Sequence, residues 1–340
     1  MLFRQIFDPD LAQYSYLLAC QQSKRALLVD PQRDVDRYLA LAEEEGVEIV
    51  AVAETHIHAD FLSGTRELSA RLGAAIHLPG GGGADWRYRW PDNDRGSVAG
   101  AGTVTHLADG DRFSVGEVEI LAMATPGHTP EHLAYLVTDR GAGGTSPVGL
   151  LSGDFVLVGD LGRPDLLELA GYAPHSREDS ARQLHRSLRR LERLEDHLQL
   201  WPAHGAGSSC GKSIGALPTS TLGYERRYNG TLRSAGEGEE PFVRMILAEQ
   251  PTPPTYFARM KRTNRDGPPL LRRLPRPRRL SLEELEGIVR HGETVIVDTR
   301  PDRQHFMAAH LPGALYAPLG RTFSVAVGAM IVEETRPSGA

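Results

Sequence analysis

The feature that most constrains this chain is a string of metal-binding residue types, Glu54-Thr55-His56-Ile57-His58-Ala59-Asp60-Phe61, placed directly after Val47–Ala53. That preceding run is too apolar to be half-exposed and reads as a strand buried on both faces. Its polar continuation therefore has to emerge at a sheet edge. Side chains two apart can converge there once the backbone turns, and His and Asp are common ligands of borderline divalent metals. Three further strings repeat the placement. Pro126-Gly127-His128-Thr129 follows the strand-like Glu117–Met123, Ser152-Gly153-Asp154 follows Val148–Leu151, and Pro202-Ala203-His204-Gly205 again follows a strand. Four such loops are expected to meet on one edge of a sheet sandwich. His77, His106, His132, His175, His185 and His197 lack this loop context and are expected to be structural.

The rest of the chain supplies layers for such a sandwich. Phe3–Phe7, Tyr14–Ala19 and Ala26–Val29 read as a β-meander. Asp34–Glu45, closed by Gly46, and Phe61–Leu72, closed by Gly73, read as helices. Ala181, Leu184, Leu188 and Leu191 mark another helix, whose arginines form a solvated face, and Gly80–Gly102 reads as a surface excursion. The first domain is expected to span residues 1–245. Residues 246–279, rich in proline and basic side chains, are expected to be an extended linker, and a short second αβ pattern fills 280–340, with Ser281 capping Leu282–Val289 before the strand Thr294–Val297. A net charge of −6 does not favour nucleic acid or an anionic membrane as partner, and no apolar run has the length of a membrane span. Two cysteines, Cys20 and Cys210, cannot make a disulfide framework, so a cytoplasmic setting is expected.

Taken in order, the His-x-His-x-Asp string and the later His, Asp and His resemble the metallo-β-lactamase fold superfamily. The resemblance implies an α/β fold, an αββα sandwich. Position 61 is Phe where the general motif has a further His, which removes one ligand of the usual second metal and disfavours a two-zinc hydrolase. Persulfide dioxygenases of the superfamily use one iron, and the resemblance carries its ligands onto His56, His128 and Asp154. Two His and one carboxylate with open positions also suit oxygen-activating Fe(II) on chemical grounds. Gly159-Asp160-Leu161-Gly162-Arg163-Pro164-Asp165 resembles the segment following the ligand Asp in these enzymes, which gives Arg163 and Asp165 the role of holding the active-site loop. Thr55 and Thr129 would be supporting donors, while His58, Asp60 and His204 would hydrogen-bond around the metal. His204–Lys212 resembles the dioxygenases fused to rhodanese modules; it puts Cys210 near the metal mouth, either handling sulfane sulfur or as a small buried residue. Lys212 would lower its pKa or attract an anionic thiol. Cys20 is expected in the core.

Val295–Arg300 and His310–Ala314 resemble the first half of a rhodanese module, and no cysteine follows Cys210. This incomplete rhodanese-like segment therefore has no nucleophile for sulfur transfer. The resemblance implies oxidation of a low-molecular-weight persulfide by O2 to sulfite and thiol, with one Fe(II) per chain, or zinc as the alternative metal. The small-molecule persulfide and O2 are the expected partners, and a homo-oligomer is compatible with the sequence. The alternatives are a glyoxalase II-like zinc thioester hydrolase, against which Phe61 argues, and a non-catalytic sulfur-binding protein, against which the intact ligand set argues.

Overall fold

The computed structural model describes residues 1–93, 102–169, 176–292 and 294–331. His175 and residues 94–101 of the Gly-rich excursion lie outside the described residues. Strands β1 (Leu2–Asp8), β2 (Gln13–Ala19) and β3 (Arg25–Val29) make an antiparallel meander. β4 (Glu48–Ala53), β5 (Ala75–Pro79) and β6 (Val104–Leu107) extend it in parallel, giving a six-stranded sheet ordered β1 to β6. Parallel neighbours require crossovers, here the helices Asp36–Glu44 and Thr65–Leu72. The second sheet contains β7 (Arg112–Val115), β8 (Val118–Ala124), β9 (Leu133–Asp139) and β10 (Gly149–Gly153). After the small hairpin β11 (Val156–Leu157) and β12 (Asp160–Leu161), β13 (Gln199–Pro202) pairs in parallel with β10, and β14 (Ser220–Thr221) forms the edge.

The absence of polar alternation along β2, β3, β9 and β10 follows from their burial on both faces. Along β2, Tyr16 and Leu18 point between the sheets toward Ile120, Tyr135, Leu151 and Trp201. Their neighbours Leu17 and Ala19 point the other way, onto Tyr38, Ala42 and Leu68. On the second sheet, Ala134, Leu136, Leu150 and Leu200 pack against Ala181, Leu184, Leu188 and Phe242 of the opposite helical layer. The result is helix, sheet, sheet, helix.

Two expectations are corrected here. The helix expected over Phe61–Leu72 begins only at Thr65. Its first residues are held as a loop because the Asn264 side chain bonds Phe61 O at 2.7 Å and Ser63 N at 2.9 Å. The segment 246–279 is not an extended linker throughout, since Phe257–Asp266 is a helix with Phe257, Lys261 and Asn264 buried on one face. That i, i+4, i+7 stripe supplies the packing that composition concealed. The same segment is tied down by Arg89 N donating to Arg265 O at 2.8 Å, Arg66 Nη1 to Pro268 O at 2.7 Å and Leu271 N to Glu67 Oε2 at 2.8 Å. One compact unit accordingly comprises Met1–Pro253 and Phe257–Arg272, and the other Pro254–Tyr256 and Arg273–Ala340.

Within the second unit, Ser281 and Glu284 form a reciprocal capping box at the start of Leu282–His291. The strand expected over Thr294–Val297 is reduced to β15 (Val297–Asp298), paired in parallel with β16 (Leu315–Tyr316). Two residues of pairing with a single partner give little sheet cooperativity. Helices Arg303–Ala308 and Phe323–Met330 complete the described part. This makes the C-terminal piece mostly helical, and it gives no independent support for the rhodanese resemblance. Among the described residues, no helix is long and apolar enough to cross a membrane.

Candidate metal centre

The polar loops after β4, β8 and β10 bring His56, His128 and Asp154 together, each buried, with one donor atom from each within 4.8 Å of the others. Local backbone chemistry makes this approach possible. Gly127 has φ +148°, and a Cβ there would stand 2.5 Å from Leu184, so glycine lets the loop carrying His128 sit against the helix Arg177–Leu188. Gly153 has φ +53° and leaves no room for a Cβ beside the His132 ring, 2.6 Å away. The loop after β4 is pinned by Glu131 Oε1, which accepts from Ile57 N at 2.8 Å, and by Tyr88, whose hydroxyl donates to His56 O at 2.8 Å.

Hydrogen bonds to Nδ1 fix the tautomer of both imidazoles. The Thr55 hydroxyl donates to Asp30 Oδ2 at 2.8 Å, so at 3.0 Å from His56 Nδ1 it must accept, and the Nε2 lone pair of His56 is left available. His128 Nδ1 donates to Arg163 O at 2.9 Å, with the same consequence for its Nε2, which lies 3.3 Å from Asp154 Oδ2. Burial holds both imidazoles well below the ordinary His range, helped by neighbouring cationic groups, so both are neutral. Burial pushes the Asp154 carboxyl up, and neither of its oxygens has a hydrogen-bond partner among protein groups. An orphaned buried carboxylate facing neutral imidazoles fits a cation. These residues suit a divalent metal.

Behind these three residues stand groups with no metal motif of their own. Asp154 N donates to His132 Nε2 at 3.0 Å, so His132 carries its proton on Nδ1 and gives it to Thr125 Oγ1 at 2.8 Å. Burial lowers the His132 pKa to about 3, consistent with that neutral role. His132, placed among structural histidines by sequence, therefore positions the backbone of Asp154. Arg163 is fully buried, grips Asp165 through bonds of 2.8 and 2.6 Å, and donates to Ser209 O at 3.2 Å. Its guanidinium thereby ties the loop carrying His128's acceptor to the segment before Cys210. Thr129 is buried beside His128.

His58 points elsewhere, into a separate cluster where Nε2 lies 3.1 Å from Asp30 Oδ1 and 3.3 Å from Glu54 Oε2. Burial opposes a charge there, but Asp30 and Glu54 outweigh it and hold the pKa well above the usual His value. Glu54 also accepts from the hydroxyls of Ser63 and Thr65. Phe61 is buried with its ring 4.3 Å from that of His58. His77 stacks on Phe113 at 3.8 Å, away from these groups.

Asp60, His204 and Cys210 form a second buried donor set. His204 Nδ1 lies 3.3 Å from Ala12 O, and its Nε2 faces Asp60 Oδ2 at 3.5 Å and Asp154 Oδ1 at 3.3 Å. Loss of the histidine at 61 thus does not strip the neighbouring position of three donors, because Cys210 enters from another loop. The expectation about Lys212 fails. Its ammonium donates to Met245 O at 2.8 Å and Ala248 O at 3.0 Å, while burial, with Asp154 and Asp60, pushes the Cys210 thiol up rather than down. Cys20 lies in the core between the sheets. Sequence reasoning also missed Lys261, which is buried and whose charge acts on His56, His128 and Glu131. The one available signal was its place in the Phe257, Lys261, Asn264 stripe.

Known proteins resemble this chain to different extents. The metallo-beta-lactamase superfamily model matches residues 8–204. A metallo-beta-lactamase structure from Staphylococcus aureus subsp. aureus COL is similar with a TM-score of 0.82 and 35% identity, covering 98% of this chain and 89% of that one. The mitochondrial persulfide dioxygenase ETHE1 of Bos taurus is 27% identical over 237 residues, 68% of this chain and 76% of its own length. The hydroxyacylglutathione hydrolase of a Synechocystis strain is 32% identical over 198 residues, 58% of this chain and 66% of its own length. With the four-layer fold and the buried His/Asp centre, these matches establish that the chain belongs to the metallo-beta-lactamase superfamily.

Proposed function

We propose that this enzyme is a mononuclear non-haem iron persulfide dioxygenase, with His56, His128 and Asp154 as the metal ligands. The observation carrying the reading is the two-His-one-carboxylate set, whose imidazoles are held neutral with Nε2 available and whose carboxylate oxygens lack protein partners. The likeness to a mitochondrial persulfide dioxygenase supports it. Bound Fe(II) would supply the redox chemistry that lets O2 react with the sulfur substrate. The net reaction is RSSH + O2 + H2O giving RSH, sulfite and two protons. The protein's part is positional: Thr55 and Asp30 orient His56, Arg163 orients His128, and His132 sets the main chain of Asp154. The burial of all these groups keeps bulk water from the reacting atoms.

A zinc thioester hydrolase is the second reading. It is favoured by the donor set Asp60, His204 and Cys210 next to Asp154, which could hold a second metal, and by the likeness to a hydroxyacylglutathione hydrolase. Metal analysis of protein purified without oxygen, with oxygen uptake on glutathione persulfide and hydrolysis of a glutathione thioester, separates the two. Iron with uptake supports the dioxygenase; zinc with hydrolysis alone replaces it. Residues 280–340 are proposed to be rhodanese-like, on the likeness of Val295–Arg300 and His310–Ala314 to strings of that module.

A further inference from the structure

The chain has only three lysines, Lys24, Lys212 and Lys261, against many arginines. Lys24 is exposed and Lys212 is partly exposed, whereas Lys261 is 5% exposed. A buried ammonium is costly unless an anion meets it. Among the described residues, no carboxylate oxygen lies within the 4.0 Å of an ion pair from it. The ammonium stands over the Trp86 ring, whose centroid is 4.6 Å from Nζ, and an aromatic face stabilises a cation without neutralising it. The charge is also held in place. One turn further along the helix Phe257–Asp266, the Asn264 amide donates to His58 O at 2.8 Å and Phe61 O at 2.7 Å, and its oxygen accepts from Ser63 N. The helix is thereby bolted to the loop that carries His56, and Lys261 acts electrostatically on His56, His128, Asp154 and Cys210.

We propose that Lys261, seated on Trp86, is the anion-binding residue of the metal centre and holds the anionic sulfur group of the substrate, and of the sulfite product, beside His56, His128 and Asp154. The identification of that anion as a persulfide rests on the dioxygenase reading. The anion site itself rests on the placement of Lys261, a 5% exposed side chain whose ammonium meets the Trp86 ring and no carboxylate within ion-pair distance. A compact ammonium suits a small sulfur anion better than a planar guanidinium, whose forked donors match carboxylates and phosphates. Burial lowers the Lys261 pKa to about 8, which leaves it mostly protonated near neutral pH. Glu131 is the acidic neighbour that raises this pKa; its Oε1 accepts from Ile57 N and its Oε2 has no hydrogen-bond partner, but neither oxygen is within ion-pair distance of Nζ.

The full chain loaded with zinc, which cannot perform the oxidation, is titrated with sodium sulfite by calorimetry. The wild type should bind, Lys261→Met should bind at least tenfold more weakly at equal zinc content, and Lys261→Arg should recover part of the loss. Sulfite affinity in Lys261→Met within threefold of the wild type would overturn the proposal, as would a wild type that binds no sulfite. A readout that needs no variant comes from lysine labelled with 13C at the ε carbon. Three signals are expected, and sulfite should shift the Lys261 signal alone; a spectrum unchanged by sulfite would overturn the proposal. Oxygen uptake by the iron-loaded wild type judges the dioxygenase reading separately. Lysine-dependent sulfite binding in a protein that never oxidises persulfide would sink that reading while supporting this anion site.

Discussion

Two sets of three buried donors share the same few loops, and they differ in how their other atoms are held. In the His56, His128 and Asp154 set, every member has a dedicated support: the Thr55–Asp30 relay, the Arg163 carbonyl, and His132 on the Asp154 amide. In the Asp60, His204 and Cys210 set, the His204 tautomer rests on one long 3.3 Å contact and the thiol is held protonated by burial and by carboxylate neighbours. In the first set the imidazoles are oriented and neutral before metal arrives, whereas in the second the thiol has to lose its proton first. The difference predicts ordered loading, with the first set filling at lower metal concentration.

The largest effect should come from breaking the first set. His56→Ala, His128→Ala and Asp154→Ala should each remove the tightly held metal, measured by metal analysis after desalting, whereas His77→Ala should retain it. Wild-type metal content in the three variants would remove the ligand assignment. The next effect tests the support rather than the ligand. Asp30→Asn leaves His56 in place but weakens the relay through Thr55, and metal affinity measured by chelator competition should fall roughly 10- to 100-fold. An unchanged affinity would mean that the two sets are not distinguished by preorganisation.

The cysteines sharpen the same contrast through pH. Hydrogen bonds from Glu117 and Ser23 lower the Cys20 pKa to about 7, whereas burial raises that of Cys210. The thiolate is the reactive form, so alkylation rates should climb as pH rises through each pKa. In metal-free protein, iodoacetamide labelling of Cys20 should reach half its limiting rate near pH 7, with Cys210 still rising well above it, as read by peptide mass spectrometry. Both residues are similarly buried, at 4% and 3% exposure, so steric access alone does not set the order. Equal pH profiles would contradict the contrast. The smallest effect concerns the C-terminal unit. A chain ended near Arg279 should keep its metal and activity, while one ended near residue 250 should lose both, because Asn264 and Lys261 go with it. Equal behaviour of the two truncations would show that the helix Phe257–Asp266 does not serve the centre.

The legible parts of the molecule were those where one local pattern determines structure. Apolar runs such as Val47–Ala53 announced strands buried on both faces, and loops directly following them announced the metal centre. What escaped were groups whose role exists only in three dimensions. His132 has no strand-end motif, yet its ring meets the Asp154 amide across 22 positions of chain. Asp30 and Thr55 are joined across 25. Lys261 and Asn264 were hidden in a segment whose prolines and arginines read as linker, although the prolines flank the helix rather than interrupt it. At Cys210, proximity in sequence does not bring the Lys212 ammonium to the thiol, because that ammonium bonds Met245 O and Ala248 O instead. The helix start at Thr65 was misplaced for the same reason, since a distant Asn side chain takes the preceding backbone groups.

The most direct test is one experiment on the wild type purified without oxygen: metal content per chain, followed by the amounts of oxygen consumed and sulfite formed from a known quantity of glutathione persulfide. The account predicts close to one iron per chain, and one oxygen consumed and one sulfite formed for each persulfide. Two tightly bound zinc ions per chain, with thioester hydrolysis and no oxygen consumption, would contradict it.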